Sequence, residues 1–130
     1  LKAGTWPIYR HVAELVKRWG AERCGESGWS SVGAVVGATW PRQLAELREA
    51  MPNTPFLVPG YGAQGGAAQD VLPAFDADGL GAIVNSSRGI IYAYDREGYA
   101  DRFGPDEYDL AAAAAAEEMR LAINEALVGR

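Results

Sequence analysis

The segment Leu57-Val-Pro-Gly-Tyr-Gly-Ala-Gln-Gly-Gly66 decides how this chain folds, together with the later segment Ala82-Ile-Val-Asn-Ser-Ser-Arg-Gly89. In both, an apolar run gives way to glycines and small polar residues, which is typical of a buried strand that ends in a loop close to a ligand. The second loop carries Arg88 between Ser87 and Gly89. Unobstructed backbone N–H groups beside a guanidinium predict a binding site for an anion such as phosphate.

Strands and helices alternate along the chain. Short apolar runs predict strands over Val32–Thr39, Phe56–Gly60 and Ala82–Ser87, and their even spacing is typical of repeated parallel β/α units. Apolar residues at helical spacing predict helices over Pro7–Trp19, Pro41–Met51 and Ala67–Phe75, a short helical turn near Ile90–Tyr94, and a long last helix from Pro105 to Gly129. The polar segment Asp95–Gly104 is expected to be an exposed loop.

The order of the two glycine loops favours one architecture of parallel β/α units. A doubly wound sheet usually carries its phosphate loop after the first strand, whereas (β/α)8 barrels commonly bind phosphate with the loops after strands 7 and 8. Here both loops follow the last two predicted strands. The chain has 130 residues, which is too short for most α/β barrels. We therefore expect one α/β domain over residues 1–130, the C-terminal half of a (β/α)8 TIM barrel.

Composition excludes several classes of function. The net charge of -5, with no cluster of Lys or Arg, argues against binding to nucleic acid or to an anionic membrane. Cys24 is the only cysteine, so no internal disulfide is possible and a reducing compartment is expected. His11 is the only histidine, so neither a metal site nor a Cys–His catalytic pair is favoured. Without a membrane-spanning apolar run or a signal peptide, we expect a soluble, cytoplasmic protein.

Three motifs in a fixed order resemble one enzyme family. They are Val36-Gly-Ala-Thr39 followed by Pro41, Leu44 and Leu47-Arg48; Phe56-Leu-Val-Pro-Gly60 followed by Gly62-Ala-Gln-Gly-Gly66; and Val84-Asn-Ser-Ser-Arg-Gly-Ile90. From about Tyr9 to Tyr94, the chain resembles orotidine 5'-phosphate decarboxylase, in particular the bacterial branch of longer chains. Tyr61 departs from that pattern, because a small aliphatic residue is expected there.

The resemblance implies cofactor-free and metal-free decarboxylation of orotidine 5'-phosphate to UMP, in a barrel whose active sites lie near a homodimer interface. In the family, the Gln of the glycine loop reaches the phosphate and the pyrimidine, and the Arg after strand 8 binds the phosphate. By position these residues are Gln64 and Arg88, with Gly62 and Gly89 beside them. The alternative interpretation is that Gln64 is a solvated loop residue and Arg88 a surface cation. Thr39 either lines the ribose or base pocket or bonds to the backbone.

The catalytic motif of that family, Asp-x-Lys-x-x-Asp with a further Lys upstream, does not occur in this chain. Lys2 and Lys17 are the only lysines, and neither has Asp neighbours at that spacing. The motif belongs to the N-terminal half of the barrel, and the chain opens at Leu1 as if cut within a longer protein. We therefore expect no catalytic residue here and a missing N-terminal half as a partner. Two alternatives stay open: another phosphate-binding TIM-barrel enzyme, and a non-catalytic half-barrel that binds phosphorylated ligands.

Overall fold

The computed structural model describes residues 1–62 and 67–129. An antiparallel ribbon and helix α1 are followed by three β/α units and a long last helix. The elements are β1 (Lys2–Ala3), β2 (Trp6–Pro7), α1 (Ile8–Ala21), β3 (Ala34–Val35), α2 (Pro41–Ala50), β4 (Phe56–Pro59), α3 (Ala68–Val71), β5 (Ala82–Asn85), α4 (Ser87–Ile91) and α5 (Tyr108–Val128). Leu72–Ala74 and Ala93–Asp95 form 3-10 turns.

The strands β3, β4 and β5 form one parallel sheet in that order, which confirms the predicted β/α architecture. Strand β3 is shorter than the predicted Val32–Thr39, because Gly33 and Gly37 flank it and glycine weakens regular strand structure. Its pairing with β4 nevertheless continues beyond its ends, since the Ala38 N–H donates to the Pro59 carbonyl at 3.0 Å.

Two predicted helices also differ from the structure. The helix predicted over Ala67–Phe75 ends as an α-helix at Val71 and continues as a 3-10 turn, because Pro73 lacks the N–H that an α-helix would need there. The last helix begins at Tyr108 instead of Pro105. Pro105 lies in a turn in which the Gly104 N–H donates to Glu107 Oε2 at 2.7 Å, so the helix starts only after this turn closes.

The core lies between one face of the sheet and the helices. Its largest fully buried side chains come from α2 and the residue after it, β4 and α3: Leu44, Met51, Phe56, Val58 and Val71. Helix α5 adds Ile123 to the same cluster. Side chains alternate between the two faces of a strand, so Leu57 points away from this core.

The opposite face of the sheet is uncovered. Val35, Leu57 and Ile83 are register partners across the three strands, and they are 69%, 42% and 71% exposed. In a complete (β/α)8 barrel the corresponding face lines the packed interior. The described residues therefore form a segment of a barrel wall with its inner face open.

Helix α1 also differs from a fully packed amphipathic helix. Its apolar stripe keeps four exposed members, which are Ile8, Val12, Leu15 and Trp19. Of its residues, Ala13 and Gly20 are buried, and Val16 packs against the core. The stripe that the sequence places on one face is therefore only partly covered by the chain that the structure describes.

The Arg48 side chain ties together the amino ends of β4 and β5. It is 8% exposed, and its Nη1 donates to the carbonyls of Met51 at 3.0 Å and Thr54 at 2.9 Å. Its Nη2 donates to the carbonyl of Gly81 at 2.9 Å, directly before β5, and its Nε to that of Ala74 at 2.8 Å. One guanidinium thus joins four segments of backbone. The carbonyls of Met51 and Gly81 also accept from the N–H groups of Thr54 and Phe56, and the guanidinium occupies their second acceptor position.

Aromatic packing completes this environment. The Arg48 guanidinium carbon lies 3.8 Å from the centre of the Phe56 ring, which is close enough for a cation–π contact. Burial lowers the pKa of the Arg48 guanidinium from its ordinary value, and the Asp76 carboxylate opposes that shift. An arginine keeps its proton even so, because its ordinary pKa is far above neutrality.

Replacing Arg48 with Met should destabilise the fold strongly. The substitution fills similar space but removes the guanidinium from the carbonyls of Ala74 and Thr54 and the second donor from those of Met51 and Gly81. We therefore expect a loss of about 3–5 kcal/mol in the free energy of unfolding. Arg42→Met, on the exposed side of the same helix, is the matched control and should change stability by no more than about 0.5 kcal/mol. Urea unfolding of both variants measures the difference, and equal losses would show that the Arg48 bonds add nothing.

None of the helices within the described residues combines the length and the apolar character needed to cross a membrane.

Candidate functional site

A cavity of about 570 Å³ opens beside the carboxyl ends of β4 and β5. Its walls come from the turn after β4, the turn after β5, the following segment and one face of α5. Three of the predicted site residues border it, namely Gly62, Arg88 and Gly89. In barrels of parallel β/α units, ligands bind at this end of the strands.

One hydrogen bond joins the two glycine-bearing turns. Ser86 is buried, and its Oγ donates to the carbonyl of Tyr61 at 2.7 Å. Gly62 follows with a φ of +76°, a conformation that side-chain-bearing residues rarely adopt. The turn after β4 is therefore held against the turn after β5 by a buried hydroxyl, and both face one cavity.

Gly89 allows the turn after β5 to close tightly. A Cβ built on Gly89 would lie 2.3 Å from Ser86 Oγ, which is far inside van der Waals contact. Because Ser86 Oγ is bonded to Tyr61, it does not cap helix α4. The N–H groups in the first turn of a helix have no acceptor inside that helix. The backbone around Arg88 therefore keeps donor groups near the cavity.

Two arginines border the cavity. Arg88 is exposed at its rim, in keeping with a side chain that can reach a ligand from solvent. Arg96 Nη1 donates to the carbonyl of Gly89 at 2.9 Å. Asp95 and Glu118 contribute carboxylates to the same lining, so the wall carries charges of both signs.

Glu118 is bound from two sides. Arg102 Nη1 donates to Glu118 Oε1 at 2.8 Å, and the Tyr99 hydroxyl donates to Glu118 Oε2. The bond from Arg102 has the larger effect, and together the two bonds lower the pKa of Glu118 below its ordinary value. Burial and the bond to Glu118 raise the pKa of Tyr99. At neutral pH Glu118 is therefore ionised and Tyr99 protonated, which is the combination that this bond requires.

The remaining predicted site residues lie elsewhere. Thr39 is exposed, one residue beyond the Ala38–Pro59 bond that ends the pairing of β3 with β4, and it does not line the cavity among the described residues. Gln64 lies outside the described residues. Their roles stay predictions.

Sequence analysis missed the wall formed by the segment after α4. It predicted an exposed polar loop over Asp95–Gly104, and most of that segment is exposed. Tyr99 and Phe103, however, pack against a second apolar cluster of Ala93, Ala111 and Ala115. The sequence did indicate this packing, because two aromatic residues stand four positions apart in an otherwise polar segment. Aromatic side chains bury large areas when a partner is near.

The chemistry of the cavity suits binding of an anion. Guanidinium groups and backbone N–H groups are the donors that phosphate prefers. Neither of the chain's two lysines borders this cavity, as far as the described residues show. Within residues 1–62 and 67–129, no group of three or more His, Cys, Asp or Glu side chains is arranged to hold a metal ion. A metal-free and cofactor-free site stays a prediction.

Replacing Gly89 with Ala should destabilise the turn. Alanine normally favours a helix over glycine by about 1 kcal/mol, but here its methyl group would displace Ser86 Oγ from the Tyr61 carbonyl. We expect a net loss of about 1–3 kcal/mol by thermal or urea unfolding. Adding Ser86→Ala to Gly89→Ala should remove most of the extra cost, because the clashing hydroxyl is gone; strictly additive effects would contradict the proposed clash. Gly37→Ala is the control, since its added Cβ meets nothing within 4 Å.

Comparison with known proteins gives consistent matches in sequence. The orotidine 5'-phosphate decarboxylase of Rhodopirellula baltica is 50% identical over 122 residues, covering 94% of this chain and 39% of that protein. The enzyme of the same name from Caldicellulosiruptor bescii is 49% identical over 94 residues, covering 72% of this chain and 31% of that protein. This chain thus spans less than half of the length of these relatives. No family model matches the chain.

Solved structures give the same result. The UMP synthase of Leishmania donovani matches with a TM-score of 0.65 and 37% identity, over 95% of this chain and 23% of that one. The OMP decarboxylase of the same organism matches with a TM-score of 0.58 and 33% identity, over 86% of this chain and 40% of that one. Sequence and fold agree, and the chain belongs to the orotidine 5'-phosphate decarboxylase family, of which it represents a C-terminal region.

Proposed function

We propose that this chain is the phosphate-binding part of an enzyme that decarboxylates orotidine 5'-phosphate to UMP and CO2, a step of pyrimidine biosynthesis. The observation that carries the proposal is the bond from Ser86 Oγ to the Tyr61 carbonyl at 2.7 Å. It holds the two glycine-bearing turns around one cavity that Arg88 borders. The relatives named orotidine 5'-phosphate decarboxylase, which match most of this chain, support the same substrate.

In this proposal Arg88 binds the phosphate of the substrate. Its guanidinium offers paired donors that match phosphate oxygens, and such charge-assisted bonds are about twice as strong as neutral ones. Gly62 and Gly89 leave room for the phosphate to approach the backbone, because neither carries a side chain. The family resemblance assigns Gln64 the contact with the phosphate and the pyrimidine. Thr39 is either part of the ribose or base pocket or a residue of the strand end.

In this proposal, two parts of the protein contribute different steps to the reaction. The bond between C6 and the carboxylate breaks, CO2 leaves, and the electron pair that remains at C6 takes up a proton. With Lys2 and Lys17 as its only lysines, and no Asp-x-Lys-x-x-Asp motif, this chain supplies no array for that proton transfer. Its part is to hold the phosphate, whose binding energy positions the pyrimidine against catalytic groups on the rest of the protein.

The open face of the sheet supports a proposal for the partner of the chain. Val35, Leu57 and Ile83 form an apolar row that a free-standing half-barrel would leave in water. We propose that the N-terminal half of the barrel covers this row, which makes the non-catalytic half-barrel the less favoured alternative. A homodimer in the cytoplasm completes the proposal and rests on the family resemblance.

The isolated 130-residue chain should have no decarboxylase activity. Holding a phosphate supplies binding, but the interactions that stabilise the transition state lie on groups that this chain lacks. The intact protein, purified from a host without its own enzyme, should turn over orotidine 5'-phosphate, as measured by release of CO2. Turnover by the isolated chain, or none by the intact protein, contradicts the proposed function.

Arg88→Ala in the intact protein should weaken UMP binding about ten- to a hundredfold. This range corresponds to loss of a charge-assisted contact of about 1.5–3 kcal/mol. Uridine should lose much less, because it lacks the phosphate that Arg88 is proposed to hold. Isothermal titration of both ligands measures the two losses.

Arg102→Ala is the matched control for this experiment. Arg102 carries the same charge in the neighbouring segment, but it pairs with Glu118 at an exposed site, where an ion pair contributes only about 0–1 kcal/mol. Its replacement should change affinity for either ligand by less than about fivefold. Equal losses of UMP and uridine in Arg88→Ala would mean that Arg88 supports the fold and does not bind the phosphate.

A further inference from the structure

The turn after β5 is held from two sides. From within, Ser86 Oγ bonds to the Tyr61 carbonyl; from outside, Arg96 Nη1 bonds to the Gly89 carbonyl at 2.9 Å. We propose that Arg96 is a positioning residue for phosphate binding, which acts by holding the Gly89 carbonyl and so the backbone on which Arg88 is mounted. This inference rests on the proposed function, and it assigns a role to a residue that the family motifs do not include.

The Arg96 side chain is placed for this role by more than one contact. Its guanidinium carbon lies 5.4 Å from the centre of the Tyr99 ring, within the range of a cation–π interaction. A Cβ on Gly89 would lie 3.8 Å from Arg96 Nη1, which is ordinary van der Waals contact, so the guanidinium packs directly against this backbone. Arg96, Gly89 and Tyr99 all border the same cavity.

The support for Arg96 is itself anchored to α5. Tyr99 donates to Glu118, and Arg102 bonds to the other oxygen of that carboxylate at 2.8 Å. Tyr99 and Phe103 also pack against the apolar cluster that includes Ala111 of α5. Arg96 therefore extends from a segment that is fastened to the long helix by an ion pair, a hydrogen bond and apolar contacts, although the side chain itself is exposed.

Electrostatics explains why an anion site needs this contact. Arg96 engages the Gly89 carbonyl and adds a second positive charge to the lining. Without Arg96, the lining loses that charge, and the short helix α4 loses a contact with the following segment. Binding must then remove the conformational freedom that the helix gains.

The test uses the intact protein and two probes, UMP and uridine. Arg96→Gln removes the charge and weakens the hold on the carbonyl, so affinity for UMP should fall about five- to twentyfold while affinity for uridine stays within about twofold. Arg96→Lys keeps a charged donor but not the planar fork, so it should recover most of the loss and leave a defect of about two- to threefold for UMP. This rescue distinguishes positioning from a general structural role.

Arg120→Gln is the matched control, because it removes the same charge from an exposed ion pair with Glu117 and touches neither Gly89 nor the segment that holds Arg96. It should weaken UMP binding by less than about threefold. If Arg96→Gln weakens UMP and uridine equally, or no more than Arg120→Gln does, Arg96 is not a positioning residue. If the Arg96→Gln variant unfolds below the temperature of the titration, the affinities for UMP and uridine are compared in Arg96→Lys instead. A defect confined to UMP then supports the positioning role, and equal affinity changes overturn it.

Failure of the proposed function gives a different result. If the unaltered protein does not bind UMP more tightly than uridine, or if Arg88→Ala affects both ligands equally, the phosphate site itself is wrong. If Arg88→Ala is selective for UMP and Arg96→Gln is not, only the role of Arg96 is overturned.

Discussion

The buried guanidinium of Arg48 is the contact on which the arrangement of the sheet and helices depends. It joins the end of α2, the 3-10 turn after α3 and the residues that precede β4 and β5. Each of these segments brings a backbone carbonyl into the interior, where an unpaired acceptor costs about 1–3 kcal/mol. A planar group with five donors satisfies them together, which a lysine or an apolar side chain could not do.

The two ends of the sheet have different functions. At the amino ends of β4 and β5, Arg48 is enclosed and its donors are directed at backbone. At the carboxyl ends, Arg88 is exposed beside a cavity, and the turns around it are held by the hydroxyl of Ser86 and by Arg96. This division is general in barrels of β/α units, in which one end of the strands stabilises the fold and the other carries the site. Gly62 and Gly89 shape the turns of the second end, whereas Gly81, with a φ of +90°, packs against Trp29 at the amino end of β5.

The open face of the sheet connects the fold to the length of the relatives. The row of Val35, Leu57 and Ile83 is apolar and largely exposed, as expected of a barrel wall whose remaining strands are not part of this chain. The relatives match this chain over most of its length and are more than twice as long. The candidate site is partial in the same way, since it holds donors for an anion and none of the family's catalytic lysines.

The sequence by itself determined the parallel β/α order, the helix positions to within a few residues, and the two turns that carry Gly62, Arg88 and Gly89. These features follow from local chemistry, because burial periodicity, glycine and proline act over a few neighbouring residues. The role of Pro73 in ending α3 was equally local, and it was missed because the apolar pattern continued past it. Only the tertiary structure decided that Arg48 is buried, that Ser86 joins Tyr61, and that Arg96 reaches Gly89. The bond from Arg48 to Gly81 joins residues 33 positions apart and that from Ser86 to Tyr61 residues 25 apart, so each depends on which distant carbonyl the fold brings within reach of a donor.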